Sequence, residues 1–295
     1  MNFTKVKDIS SRTGKLALGT VQFGVDYGIN NSHGQISRSE AEGIVDYAFK
    51  HGVSVLDTAR SYGHAETAIG EILLLNPSYR NIEVVTKISY DSSLSLSQNI
   101  AVSCKNLKRN FIDTVLFHSF EDYNLYSDTI DVEEKLNFGK LGISVYTNAE
   151  IEGILEDSRI EVIQVPFNLL DNEFQRGEIL RLAKSKGKEV HTRSSFLQGL
   201  FFKNANDISS NLIGLLNELE SIRELCKDYN LSVSDLALQY CLSKDYIDKV
   251  IIGVDTLGHL QINIKSCNTV LPQELVIEVD KIAVKAVELL NPSNW

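Results

Sequence analysis

Cysteine is scarce and scattered. The chain has four among 295 residues, Cys104, Cys226, Cys241 and Cys267, with no CxxC pair and no histidine at ligand spacing. That pattern suggests neither a zinc site nor a disulfide framework, and it predicts small buried thiols in a reducing compartment. Proline is equally rare, with four residues, and no Gly/Ser-rich or charge-run segment interrupts the pattern. Nothing therefore reads as a linker, and one domain over residues 1–295 is expected. No run approaches the roughly 18 apolar residues of a membrane span. The opening MNFTKVKDISSRTGK lacks the apolar core of a signal peptide, so the cytoplasm is the expected compartment. Positive charge is also short: 29 Lys and Arg stand against 39 Asp and Glu, a net charge of −10. This argues against a nucleic-acid surface, because phosphate contacts need clustered cations.

What is present is an alternation. Hydrophobic residues make up 43% and charged ones 23%, enough apolar material for a full core. Lys15–Gly19 reads as a first strand, followed by a long Gly- and Asn-rich loop that suggests binding. SRSEAEGIVDYAFKHG then carries a capping box, with Ser37 or Ser39 as N-cap and Glu40 or Glu42 three residues on, and Gly52 as a stop. Strands ending near Asp57, Lys87, His118 and Ser144 follow, each with a helix behind it: Glu66–Leu75, Leu96–Lys108, the Val132 region and Ile151–Leu155. VIQVPFN leads to a helix over Glu178–Lys186, and KEVHTRS to helices over Leu216–Tyr229 and from Ser234. KVIIGV precedes TLGHLQINI, and Pro272 opens a C-terminal helix to Leu290. Eight strands at intervals of roughly 30 residues, each followed by a helix, give the count of a (β/α)8 TIM barrel. The rival open sheet would carry GxGxxG after its first strand, and that motif is absent.

The stretch VSVLDTARSYGH, Val53 to His64, organises the chemistry. It delivers Asp57 and Tyr62 to the carboxyl end of a strand, where a parallel barrel keeps its active site. The next two strands end in Lys87 and His118. A phenol has a reference pKa near 10, and a neighbouring ammonium stabilises its anion. Lys87 would be that cation, and Asp57 would offset the cost of burying it. His118 can donate to a carbonyl and orient it. Taken singly, each residue has a plainer reading as a helix cap, packing ring, solvated charge or core histidine. Four complementary groups at successive strand ends outweigh those readings.

Gly19–Thr20, LDTARSYG at Leu56–Gly63, VVTK at Val84–Lys87 and the His118 strand end closely resemble the aldo-keto reductase family, over nearly the whole chain. The resemblance implies a (β/α)8 barrel that reduces aldehydes and ketones with NADPH, NADH not being excluded. It implies Tyr62 as proton donor, Asp57 and Lys87 as its tuning pair, and His118 as the carbonyl-orienting group. On the coenzyme side it implies Gly19, Thr20, Asp57, Ser144 and Gln164 near the nicotinamide, with Val145 standing where the family has an Asn. Arg193 stands where the family places a stacking Tyr, and beside a cationic nicotinamide it would favour the reduced form. Ser194, Leu197 and Gly199 correspond to the pyrophosphate segment. Asn263 keeps an adenine-side contact, and the helix start at Thr256 offers amides to phosphate. Gly253 and His259 stand where many members have Lys and Arg for the 2′-phosphate, with Asp255 nearby.

The long first loop (Phe23, Tyr27) and Phe196–Phe202 are expected as aromatic walls around a small, polar, sugar-like carbonyl substrate. No metal, nucleic acid or membrane is implied, and the oligomeric state is left open. A sugar dehydrogenase running in oxidation, or a non-catalytic coenzyme-sensing subunit, are the alternative activities.

Overall fold

The computed structural model describes residues 4–5, 12–29, 31, 34–130 and 137–295. Eight parallel strands close into a barrel in sequence order. They are β1 (Leu16–Gly19), β2 (Val55–Asp57), β3 (Glu83–Ile88), β4 (Ile112–Phe117), β5 (Phe138–Ser144), β6 (Val162–Pro166), β7 (Glu189–Arg193) and β8 (Lys249–Gly253). Closure is made by β1, where Gly19 pairs with Asp57 on one side and Gly253 on the other. The expected TIM barrel is thus the observed fold. A short antiparallel pairing of Thr4–Lys5 with Thr269–Val270 lies outside it.

Strand alternation sorts the side chains into two cores. One face of each strand packs outward against the helices in a large apolar cluster. The other face fills the barrel with Ala17, Val55, Val85, Leu116, Val162 and Ile251. Because side chains alternate with period 2, the residue two positions further along points the same way, one layer higher. Those residues are Gly19, Asp57, Lys87, His118, Gln164 and Gly253. The chemistry of this chain is therefore the top layer of the barrel filling, at the carboxyl ends of the strands.

The helices are α1 (Arg38–Lys50), α2 (Ala65–Leu73), α3 (Leu96–Asn106), α4 (Phe120–Tyr126), α5 (Asn148–Ile154), α6 (Glu173–Ser185), α7 (Leu216–Asp228), α8 (Val233–Ser243), α9 (Leu257–Ser266) and α10 (Gln273–Asp280). Ser37, rather than Ser39, caps α1, with Glu40 completing the box. Gly52 follows α1 at φ +84°, the left-handed geometry that glycine adopts most readily. Three expected spans shift. The helix behind His118 is α4, and the Val132 region lies outside the described residues. The helix expected from Glu178 begins at Glu173, because Asn172 caps it by accepting from Phe174 N at 3.0 Å. The C-terminal helix stops at Asp280, which accepts from Tyr240 Oη and Lys244 Nζ, each at 2.6 Å, and 3-10 turns continue over Val287–Leu290 and Pro292–Asn294. Among the described residues no helix is long and apolar enough to cross a membrane. All four cysteines are buried and free, and burial pushes the Cys241 thiol up to about 12.

Candidate active site

The top layer of the barrel opens into a cavity of about 770 Å³. Asp57, Tyr62, Lys87 and His118 all line it, as the sequence predicts. Lys87 is 1% exposed and Asp57 3%, so this is an ion pair inside the protein and not a solvated one. Lys87 Nζ donates to Asp57 Oδ1 at 2.6 Å and to the Thr58 carbonyl at 2.9 Å. Burial works most strongly against the ammonium, but the adjacent Asp57 carboxylate, its hydrogen bond and the Tyr62 phenol together hold the Lys87 pKa above the ordinary lysine value. The second Asp57 oxygen accepts from Gln164 Nε2 at 2.7 Å. Both carboxylate oxygens are thereby satisfied, which a buried carboxylate requires.

Tyr62 sits over this pair, with Lys87 Nζ 5.2 Å from its ring centroid. Its ring meets the His118 ring edge-on, the centroids 6.0 Å apart and the planes at 80°. The loop carrying Tyr62 is set by glycine. A side chain at Gly24 would collide with the Tyr62 carbonyl oxygen, and Gly63, at φ +55°, packs against Gly24 in return. His118 Nδ1 lies 3.3 Å from Ser61 Oγ. Burial, reinforced by the Lys87 charge, pulls the His118 pKa down to about 4, so the imidazole is neutral near pH 7.

The remaining expected residues divide. Gly19, Thr20, Ser144, Gln164, Arg193, Ser194, Gly199, Gly253, His259 and Asn263 all line the cavity. Thr20 ties the tip of β1 to β2, its Oγ1 donating to the Asp57 carbonyl at 2.9 Å. Ser144 and Gln164 are register partners on β5 and β6. Gln164 is fully buried, and its Oε1 has no hydrogen-bond partner among the described residues, so a hydrogen-bond donor is needed to complete it. Arg193 places its guanidinium 4.1 Å over the Tyr146 ring and donates to the Val145 carbonyl at 3.3 Å.

Leu197 departs from expectation. Its side chain is fully buried in the outer apolar core, and it does not line the cavity. The backbone here is left-handed at Ser194, with φ of 61°, and again at Leu197, Gln198 and Gly199, with φ of 45°, 53° and 93°. Phe23 is likewise core, whereas Tyr27, Phe196 and Phe202 do form aromatic lining.

Several lining residues lie beyond the sequence-based expectation. Tyr146 stands two positions past Ser144, so period-2 alternation alone could have found it. It is held by Arg176, which donates to the Tyr146 carbonyl at 2.5 Å while forming a buried double contact with Asp171 at 2.6 and 2.9 Å. Gln22 and Gln198 come from irregular segments with no periodic signal. Gln198 Nε2 donates to Tyr27 Oη at 2.9 Å, joining the loop after β1 to the loop after β7 beside the cavity.

A buried Lys–Asp pair under a phenol, beside a neutral imidazole and an unsatisfied carboxamide oxygen, is equipped to deliver a proton to a carbonyl oxygen. Comparison with known proteins agrees in kind. The model of the Aldo/keto reductase family matches residues 15–284. Norsolorinic acid reductase B of Dothistroma septosporum is 22% identical, the match covering 92% of this chain and 78% of that protein. The NADH-specific methylglyoxal reductase of Escherichia coli is 22% identical, over 90% of this chain and 96% of that one. An aldo-keto reductase from Bacillus halodurans, solved in its holo form, superposes with a TM-score of 0.72 at 21% identity, covering 91% of this chain and 92% of that one. With a family match across nearly its whole length and the closed barrel to go with it, the chain belongs to the aldo/keto reductase family of oxidoreductases.

Proposed function

We propose that this protein reduces an aldehyde or ketone to the alcohol with a reduced nicotinamide dinucleotide, working as one barrel domain. The observation that carries the reading is the buried Lys87–Asp57 pair set 5.2 Å from the Tyr62 ring centroid inside the cavity. When bound, the nicotinamide supplies a hydride to the carbonyl carbon. Tyr62 donates its phenolic proton to the carbonyl oxygen, and the Lys87 ammonium stabilises the phenolate that remains. Asp57 keeps Lys87 charged and in place. With Ser61 Oγ 3.3 Å from Nδ1, the tautomer that carries its proton on Nε2 lets His118 accept from Ser61 and donate to the substrate oxygen.

The unpartnered Gln164 Oε1, with Ser144 beside it, fits the carboxamide of a nicotinamide, which brings N–H donors. Arg193 shares that part of the cavity, and Ser194 and Gly199 fit a pyrophosphate. NADPH is the coenzyme that the resemblance implies, with NADH also admitted. The polar lining of Asn31 and Gln198 suits a small, polar carbonyl such as an open-chain sugar or a ketoaldehyde. The four free, buried thiols suit a reducing compartment such as the cytoplasm.

The test is oxidation of NADPH, and separately of NADH, with a panel of aromatic aldehydes, ketoaldehydes and open-chain sugars, alongside Tyr62→Phe. Loss of roughly 10²-fold or more in kcat with coenzyme binding kept assigns the proton to Tyr62. Turnover indifferent to Tyr62 would sink the mechanism, and coenzyme binding without any turnover would point to a sensing subunit.

A further inference from the structure

The cavity lining is uneven in charge. Among the described residues that line it, Lys87 and Arg193 are the side chains with a permanent positive charge. They come from β3 and the tip of β7, the first paired with Asp57 and the second lying over Tyr146. The lining where β8 runs into α9 is different. There the lining is Gly253, Asp255, His259, Ile262 and Asn263, with Gln22 reaching across from the segment after β1.

Asp255 is held there and not left free. Gln22 Nε2 donates to its Oδ1 at 3.3 Å, which ties the carboxylate to the segment after β1. Its Oδ2 lies 3.8 Å from His259 Nδ1, too far for a hydrogen bond, so that oxygen keeps its capacity to accept one. The His259 side chain is 52% exposed, against 23% for Asp255. The fixed charge at this end is therefore negative.

An extended dinucleotide with its nicotinamide at Gln164 and Tyr62 would carry its adenosine along the cavity, away from them and toward the β8–α9 lining. The two coenzymes differ in that half alone: NADPH has a phosphate on the adenosine 2′-oxygen, where NADH has a hydroxyl. A carboxylate accepts a hydrogen bond from a ribose hydroxyl and repels a phosphate dianion, the repulsion being strong where water is partly excluded. We propose that Asp255, held by Gln22, selects NADH over NADPH, against the coenzyme that the resemblance implies. The inference rests on the nicotinamide-dependent reading above and assigns Asp255 as its specificity-determining residue.

The experiment is direct binding of NADH and NADPH to the wild-type protein, Asp255→Asn and Asp255→Arg, followed by quenching of Trp295, the single tryptophan, and by calorimetry. Wild type is expected to bind NADH at least about tenfold more tightly than NADPH, with the gap narrowing as salt is added. Asp255→Asn should shrink the ratio and Asp255→Arg should invert it. NADPH bound as tightly as NADH by wild type would overturn the inference and leave the reductase reading standing. So would a preference for NADH that Asp255→Asn and added salt both leave unchanged. Binding of neither coenzyme would overturn the reductase reading and the inference together.

Discussion

Gln164 donates to one oxygen of Asp57 at 2.7 Å while Lys87 donates to the other at 2.6 Å, so a neutral amide and a cation share one buried carboxylate. Gln164 and Asp57 are 107 positions apart in sequence, and strand alternation brings both to the top layer of the barrel. The arrangement leaves Gln164 Oε1 without a partner among the described residues and keeps Asp57 engaged at both oxygens.

Gln164→Glu tests that arrangement. Two carboxylates would then meet in a buried site, and one would hold its proton well above the ordinary carboxylate range. A group whose folded pKa is raised stabilises the fold fully below its unfolded value and loses that contribution as pH rises. The variant should therefore melt close to wild type near pH 4 and fall behind by about 3 kcal/mol at pH 8. A deficit that is flat across that range in thermal melts would show that the introduced carboxyl ionises freely.

His118 gives the opposite sign. Burial, then the Lys87 charge, lowers its folded pKa to about 4, against an ordinary value near 6.5. Between those two values the unfolded chain takes up a proton that the folded one refuses, so stability drops as the pH is lowered through that window. The loss amounts to roughly 3 kcal/mol by pH 4. His118→Gln should remove that part of the acid sensitivity, read as the difference between two urea titrations at each pH. By NMR, the His118 ring should show no titration between pH 5.5 and 8, at roughly 1.5 units or more above its folded pKa.

Much of this is legible in the sequence. Eight apolar runs with helices between them point to the barrel, and Asp57, Tyr62, Lys87 and His118 can be named because alternation carries each strand end to the mouth. What stays hidden depends on contacts distant in sequence. The start of α6 escapes a local reading because its cap, Asn172, also donates to the Val279 and Ile282 carbonyls, a tertiary role that no short pattern reveals. Leu197 packs into the outer apolar core from a stretch of left-handed backbone, a conformation that local sequence does not announce for a leucine. The Gln22 contact with Asp255 joins opposite ends of the chain, so the placement of that carboxylate cannot be read locally.

The Tyr62 loop depends on Gly24. A Cβ there would lie 1.7 Å from the Tyr62 carbonyl oxygen, far inside contact distance, and that oxygen is backbone and cannot swing aside. Gly24→Ala should cost on the order of 1–3 kcal/mol and displace the phenol from Lys87. Activity should fall by more than the loss of folded protein explains. Full specific activity in the folded fraction would show that the loop relaxes without moving Tyr62.

Arg193 is the remaining lever. Its described contacts are the Tyr146 ring and the Val145 carbonyl, with no carboxylate in salt-bridge range among the described residues. Its charge is felt at the site, contributing to the low pKa of His118 and opposing protonation of Lys87. An oxidised nicotinamide is cationic and a reduced one is neutral, so a fixed guanidinium in the same cavity disfavours the oxidised form. Wild type should bind the reduced coenzyme more tightly than the oxidised one, and Arg193→Gln should narrow that ratio by about tenfold. Separate binding constants for the two redox forms decide it. If the substitution weakens both forms equally, Arg193 packs the site and does not bias its redox preference.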